Sequence, residues 1–211
     1  MPENLSYHSK ISFLALGDSY TIGEGVMESE CWPVQLADTL KKRGYVMDAP
    51  QIIAKTGWTT TELIAELKSI NLTESFAIVS LLIGVNNQYR GASINNYRAE
   101  FEYLLQRAII FAENQPTRVI VFSIPDWGVT PYAENRDRLK IRSEIEAFNV
   151  CNRKSTLDAG AKYIDITDIS QEAATDPSLL AADKLHPSGK MYRRWVKRIV
   201  PIIEPIFIDK R

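Results

Sequence analysis

Short apolar segments alternate with longer amphipathic segments along this chain, and this alternation constrains the fold more than any other feature. The apolar segments predict five strands, at residues 11–16, 51–57, 76–84, 118–124 and 162–167. The amphipathic segments predict helices at residues 32–43, 59–70, 94–114, 138–159 and 188–200, with Pro201 ending the last one. Because parallel strands need a crossover connection, this pattern predicts a parallel sheet with helices on both faces. The expected fold class is α/β, a three-layer α/β/α sandwich with five strands in the order 2-1-3-4-5.

Length and composition restrict the classes of protein that this chain can belong to. Its 211 residues favour one domain, residues 1–211, of which residues 1–10 form a polar N-terminal tail. A net charge of −1 provides no electrostatic attraction for nucleic acid or for an anionic membrane. No signal-peptide core and no run of 18 apolar residues occur, so we expect no integral membrane segment and a cytoplasmic protein. A leader that had been removed would leave no trace here.

The two cysteines, Cys31 and Cys151, are too few to form a disulfide framework. We expect both to be buried free thiols, because free cysteine packs like a small apolar residue. A pairing of the two is the open alternative.

Three of the predicted strands run directly into residues suited to a binding or catalytic loop. Ser19 follows the first strand in the sequence GDSY, Gly57 ends the second, and Asn86 follows the third in GVNN. In the predicted order these three strands are neighbours, so their carboxyl ends meet at one edge of the sheet. A serine after a strand is by itself more often a turn former or a helix cap, and Asp18 could cap a helix equally well.

His186 adds a second kind of chemistry to this edge. The chain has two histidines, and His8 lies in the polar tail, where we expect a solvated side chain. His186 lies in the loop ADKLHPSGK, three residues after Asp183, which is close enough to accept a hydrogen bond from one ring nitrogen. The other ring nitrogen would then be free to take a proton. Ser19, His186 and Asp183 are therefore candidates for nucleophile, base and orienting carboxylate.

These segments together resemble the four sequence blocks of the SGNH hydrolases, also called GDSL-like lipases and acylhydrolases. The blocks are GDSY, Gly57, GVNN and DKLH, in the family's order. The resemblance implies a flavodoxin-like sandwich and a serine esterase or acylhydrolase that needs no cofactor. It also implies catalytic roles for Ser19, His186 and Asp183. An oxyanion hole would be formed by the Ser19 N–H, the Gly57 N–H and the Asn86 side-chain amide.

Two positions depart from the family's pattern. Tyr20 replaces the leucine of the first block, at a position concerned with packing. Asn87 replaces the aspartate that usually follows the oxyanion-hole asparagine. Asn87 can still form hydrogen bonds that hold the loop, although it lacks the charge. We expect this second change to affect the rate and not the class of reaction.

Other classes of function fit the sequence less well. The pattern G-x-S-x-G is absent, which disfavours an ordinary α/β-hydrolase. The histidines and cysteines are too scattered to predict a metal site, and no G-x-G-x-x-G or Walker motif indicates a nucleotide. The alternative that stays open is a catalytically inactive ligand-binding domain on the same fold.

Aromatic residues next to the motifs could line a pocket for a small-molecule or lipid-like ester. These residues are Tyr20, Trp58, Tyr89, Trp127 and Tyr132, of which the last two belong to the irregular segment 125–137. The alternative is that they only pack this segment against the domain. Arg90 could contact an anionic substrate or be solvated.

The apolar C-terminal segment, residues 202–208, predicts packing against the domain's own core in a monomer. A homodimer contact is the alternative.

Overall fold

The structure is a computed structural model that describes residues 10–210, with the side chains of residues 10–207. Most of the predicted N-terminal tail, including His8, therefore lies outside the described residues, as does the side chain of Ile208.

The core of the protein is a five-stranded parallel sheet. Its strands are β1 (Phe13–Gly17), β2 (Gln51–Ala54), β3 (Ile78–Leu82), β4 (Val119–Phe122) and β5 (Lys162–Ile164), in the order β2-β1-β3-β4-β5. Gly17 at the end of β1 is in register with Ala54 of β2 and Leu82 of β3. These three strands therefore end at the same level. The predicted fold class and strand order are confirmed.

Between residues 10 and 210, five long α-helices and three short ones precede, connect or follow the strands. The long helices are α2 (Trp32–Lys42), α3 (Thr60–Ser69), α5 (Ile94–Phe111), α6 (Arg138–Asp158) and α8 (Gly189–Ile203). The short ones, which the sequence pattern did not predict, are α1 (Ser19–Ile22), α4 (Val85–Tyr89) and α7 (Thr167–Gln171). Polar residues cap four of the five long helices. At α3 the Thr59 N–H donates to Glu62 at 2.7 Å. The side chains of Ser93, Asp137 and Ser188 accept backbone N–H groups from the first turns of α5, α6 and α8.

The helices pack in two groups. Helix α2 packs against α8, and α5 packs against α3 and α6. Right-handed crossovers place these groups on opposite faces of the sheet, which gives three layers. The ring of Trp32 on α2 lies 5.9 Å from that of Phe13 on β1 and 4.8 Å from that of Phe122 on β4, so one buried indole ties its layer to two strands.

Helix α8 differs from its predicted extent, because it continues through Pro201 to Ile203. Proline cannot donate a hydrogen bond to the carbonyl of Lys197 and crowds that carbonyl with its ring, but Lys197 lies on the exposed side of the helix. The buried Ile199, Val200 and Ile203 keep the last turn against the core.

The C-terminal segment packs against the protein's own core, as predicted. Ile203 and Phe207 are fully buried, and the Phe207 ring lies 5.9 Å from the ring of Tyr45. Cys31 and Cys151 are both free and buried, which confirms that prediction. In the part of the chain from residue 10 to residue 210, no helix has both the length and the apolar character needed to span a membrane.

Candidate active site

Ser19 lies where β1 ends and α1 begins. Asp18 caps this short helix, since its Oδ1 accepts the backbone N–H of Tyr20 at 3.0 Å. Gly17 allows the sharp turn: a Cβ there would lie 2.2 Å from Thr21 Oγ1 and 2.5 Å from the Leu82 carbonyl oxygen. The sequence GDS thus places the Ser19 side chain at the carboxyl edge of the sheet, where only 4% of Ser19 is exposed.

The structure brings Ser19, His186 and Asp183 into one hydrogen-bonded chain. His186 Nε2 lies 3.0 Å from Ser19 Oγ, and His186 Nδ1 lies 2.6 Å from Asp183 Oδ2. The other carboxylate oxygen of Asp183 accepts the backbone N–H groups of Leu185 at 2.9 Å and of His186 at 3.0 Å. With Nδ1 donating to the carboxylate, Nε2 carries the lone pair that faces the Ser19 hydroxyl.

The environment of Asp183 keeps this carboxylate ionised. Partial burial opposes ionisation, but hydrogen bonds from the His186 ring and from the backbone N–H groups of Leu185 and His186 outweigh it and lower the pKa of Asp183. Asp183 is therefore anionic at neutral pH, where it can stabilise a positive charge on the imidazole.

Asn86, at the start of α4, faces Ser19 across the strand ends. One N–H of its amide donates to the Trp58 carbonyl at 2.9 Å, which fixes the orientation of the amide and leaves the second N–H for a ligand. The neighbouring Asn87 is buried and exchanges two hydrogen bonds with Thr60, from Thr60 N–H at 3.1 Å and to Thr60 Oγ1 at 2.7 Å. Asn87 therefore holds the loop without the charge of an aspartate.

Gly57 lies at the same edge with a positive φ of 84°, a conformation that favours glycine. Its carbonyl accepts a hydrogen bond from Arg90 Nη2 at 2.6 Å, and Arg90 Nη1 forms a salt bridge with Glu62 at 2.7 Å. Arg90 is thus neither simply solvated nor free to meet an anionic substrate. It supports the loop that carries Gly57.

A cavity of about 160 Å³ opens beside Ser19 and His186. Four of the five predicted aromatic residues line it, namely Tyr20, Tyr89, Trp127 and Tyr132. Trp58 does not line it: the indole packs partly buried against the core, and only its backbone carbonyl serves the site, through Asn86. Trp58 is therefore the predicted aromatic residue that does not contribute its ring to this cavity.

Three residues that were not predicted also line the cavity, namely Thr56, Val85 and Leu185. Each is a direct neighbour of a motif residue, and this adjacency was the available signal. Among residues 10–210, no three His, Cys, Asp or Glu side chains gather in a way that could hold a metal ion.

Asp18 lies beneath this site with a carboxylate that is costly to ionise. It is buried, and among the described residues its Oδ2 has no hydrogen-bond partner. Burial raises the pKa of Asp18 to about 7, although the Tyr20 backbone N–H partly offsets this. Burial also raises the pKa values of the nearby phenols of Tyr20, Tyr97 and Tyr192, so Asp18 is the member of this group that titrates near neutrality.

This titration predicts a pH-dependent stability that the variant Asp18→Asn removes. The pKa of an aspartate in the unfolded chain is about 3.9, well below the folded value for Asp18. The folded state therefore binds this proton more tightly than the unfolded state does. As a result, the native chain loses stability as the pH rises from about 4 to about 7. The amide oxygen of asparagine can keep the cap. Relative to the native chain, Asp18→Asn should gain on the order of 4 kcal/mol in the free energy of unfolding from pH 4 to pH 8. Denaturant unfolding at pH 4, 6 and 8 measures this.

The matched control is Asp38→Asn, at an exposed position on α2, which should follow the native pH dependence. Parallel stability curves for the native chain and Asp18→Asn would contradict the prediction.

Comparison with known proteins gives one family match and several solved structures with a similar fold. The model of the GDSL-like lipase/acylhydrolase family matches residues 15–194. The fold is similar to that of TesA, with a TM-score of 0.71 and 20% identity over 92% of this chain and 99% of that one. It is also similar to a lipase/acylhydrolase from Enterococcus faecalis, with a TM-score of 0.70 and 20% identity over 92% and 96% of the two chains. The acetylxylan esterase Axe2 from Geobacillus stearothermophilus gives a TM-score of 0.70 and 15% identity over 92% and 94%. No curated protein sequence matches this chain.

Proposed function

Since this chain belongs to the GDSL-like lipase/acylhydrolase family and is an ester hydrolase, we propose that it cleaves carboxylic esters through an acyl-enzyme on Ser19. The observation that carries the proposal is the continuous chain from Ser19 Oγ through the His186 ring to Asp183, with separations of 3.0 Å and 2.6 Å. A serine hydroxyl is a weak nucleophile unless an adjacent base takes its proton, and this arrangement supplies that base.

Each proton in the cycle moves through His186. Ser19 Oγ attacks the ester carbonyl carbon while its proton passes to His186 Nε2. The tetrahedral intermediate then expels the alcohol oxygen, which leaves with that proton. A water molecule next gives a proton to His186 and attacks the acyl-enzyme, and collapse of the second intermediate releases the acid and restores Ser19. Asp183 stabilises the imidazolium formed in both halves of the cycle.

The oxyanion of each intermediate would be stabilised by three N–H donors. They are the backbone N–H groups of Ser19 and Gly57 and the free N–H of the Asn86 amide. Donors that are fixed before the reaction stabilise the developing charge without a cost of reorganisation. The hydrogen bond from Asn86 to the Trp58 carbonyl and that from Arg90 to the Gly57 carbonyl support such fixed positions.

The cavity beside Ser19 would hold the acyl group of the ester. Its volume of about 160 Å³ is close to that of an engineered apolar cavity of about 150 Å³ that binds benzene. Aromatic rings and the side chains of Val85 and Leu185 form most of its walls, so the favoured acyl groups are short and uncharged.

Incubation with a fluorophosphonate probe tests this function directly. We expect one covalent adduct, mapped to Ser19 by peptide mass spectrometry, because the probe phosphonylates only an activated serine. The rate of labelling should fall sharply in His186→Ala. An unlabelled native chain that still binds esters would instead favour the inactive ligand-binding domain on the same fold.

A further inference from the structure

Three of the pocket's aromatic residues share one cation. The guanidinium carbon of Arg136 lies 5.0 Å from the ring centroid of Tyr89, 5.6 Å from that of Trp127 and 5.8 Å from that of Tyr132. Arg136 Nη2 also donates a hydrogen bond to the Tyr89 hydroxyl at 2.9 Å, and the Tyr132 hydroxyl lies 3.4 Å from that of Tyr89. A planar guanidinium can stack on rings and donate at its edge at the same time.

The three rings differ in how firmly the rest of the protein holds them. Trp127 is 4% exposed, and its indole N–H donates to Gln88 Oε1 at 2.8 Å. Gln88 in turn donates to Glu144 at 2.7 Å. Tyr89 and Tyr132 are 45% and 48% exposed, and their hydroxyl groups bond only to each other and to Arg136 among the described residues.

Tyr89 and Trp127 also separate two cavities. On one side lies the cavity of about 160 Å³ beside Ser19. On the other lies a cavity of about 370 Å³, which both residues line together with Arg136, Lys140 and Ile141. A displacement of the exposed ring of Tyr89 would therefore lengthen the space that begins at Ser19.

In the described part of the chain, no ion pair competes with the rings for the Arg136 side chain. It is exposed, and no ion pair links it to a carboxylate in the described part of the chain. Within residues 10–207, its side chain contacts the three rings and donates to the Tyr89 hydroxyl.

We infer that Arg136 is a positioning residue that locks Tyr89 and Tyr132 against Trp127 and thereby sets the longest acyl chain that the esterase accepts. The inference rests on the proposed function and adds to it a substrate class: esters of short acyl chains, up to about the size of a benzene ring. The wall formed by Tyr89 and Trp127, with Tyr132 holding the Tyr89 hydroxyl, would stop longer chains from entering the second cavity.

The test compares nitrophenyl esters of acetic, butyric, octanoic and decanoic acids in the native enzyme and in Arg136→Ala. The ratio of kcat/KM for the decanoyl ester to that for the butyryl ester should rise at least about tenfold, the lower limit for one misfitting methylene in an apolar pocket. We expect the gain on long esters to come from a lower KM. Arg136→Lys keeps the charge but loses the planar group and should lie between the two, and Tyr89→Phe should shift the ratio in the same direction.

Arg107→Ala is the matched control, because the Arg107 guanidinium stacks on Phe111 at 4.9 Å on α5 and lines neither cavity. Its ratio should equal the native one. An unchanged ratio in both Arg136→Ala and Tyr89→Phe, with unchanged thermal unfolding, would overturn the inference. A selective loss on the nitrophenyl monoester of succinic acid would also overturn it, because Arg136 would then be a contact for an anionic substrate.

Two further measurements separate this inference from the function on which it rests. Acetyl esters of alcohols of graded length should show no shift in Arg136→Ala; a shift confined to that series would assign the cavity to the alcohol and overturn the inference. Hydrolysis of the acetyl ester by the native chain, abolished in Ser19→Ala, tests the proposed function alone.

Discussion

Ser19→Ala should lower kcat/KM on a short nitrophenyl ester by at least about a thousandfold, because it removes the atom that forms the acyl-enzyme. The position tolerates the change structurally, since the side chain of Ser19 bonds only to the His186 ring among the described residues. Steady-state kinetics on the butyryl ester, with circular dichroism to verify the fold, measure the effect.

The control for this variant is Ser69→Ala, at an exposed position at the end of α3, which should keep the native rate. The double variant Ser19→Ala with His186→Ala should be no slower than Ser19→Ala alone, because groups that act as one unit lose their effect together. Additive losses, or equal rates for the native chain and Ser19→Ala, would refute Ser19 as the nucleophile.

Asn86→Ala should lower kcat by about a hundred- to a thousandfold, the usual effect of losing one oxyanion donor. KM should change little, because the donor acts on the charge of the intermediate more than on the neutral ester. Asn86→Asp keeps the shape but places a negative charge beside the oxyanion, so its kcat should be at least as low. Steady-state kinetics on the acetyl ester measure both.

Asn96→Ala, at an exposed position on α5, is the control for this pair and should leave kcat unchanged. The Asn86 amide also bonds to the Trp58 carbonyl, so thermal unfolding must be followed in parallel. A kcat within threefold of the native value for Asn86→Ala would show that the oxyanion is stabilised without this side chain.

Much of the fold was predictable because strands and helix starts are indicated by residues close together in the sequence. Strands such as β3 consist almost entirely of buried apolar residues, and helices such as α3 begin at capping residues, so both are visible in a short window of sequence. The convergence of Ser19, Gly57 and Asn86 followed from the strand order, since parallel strands end at one edge. These features depend on residues close together in the chain and on the strand order, and both can be inferred from the pattern of apolar segments.

The features that were missed depend on contacts between residues distant in the chain. Arg90 reaches back to Glu62 and to the Gly57 carbonyl, 28 and 33 positions away, and nothing in its own surroundings indicates this. Helix α8 passes through Pro201 because the buried stripe of the helix outweighs one missing hydrogen bond. Trp58 turned out to serve the site with its backbone and not with its ring.

The sequence by itself determined the sheet, its strand order and the residue types that meet at its carboxyl edge. The reason is that burial, helix capping and turn formation depend on residues close together along the chain. Only the tertiary structure decided the 3.0 Å approach of His186 to Ser19, the buried state of Asp18 and the enclosure of the cavity by rings gathered around Arg136. Those properties arise where segments far apart in the chain come into contact, and the geometry of such contacts is set by the packing of the whole domain.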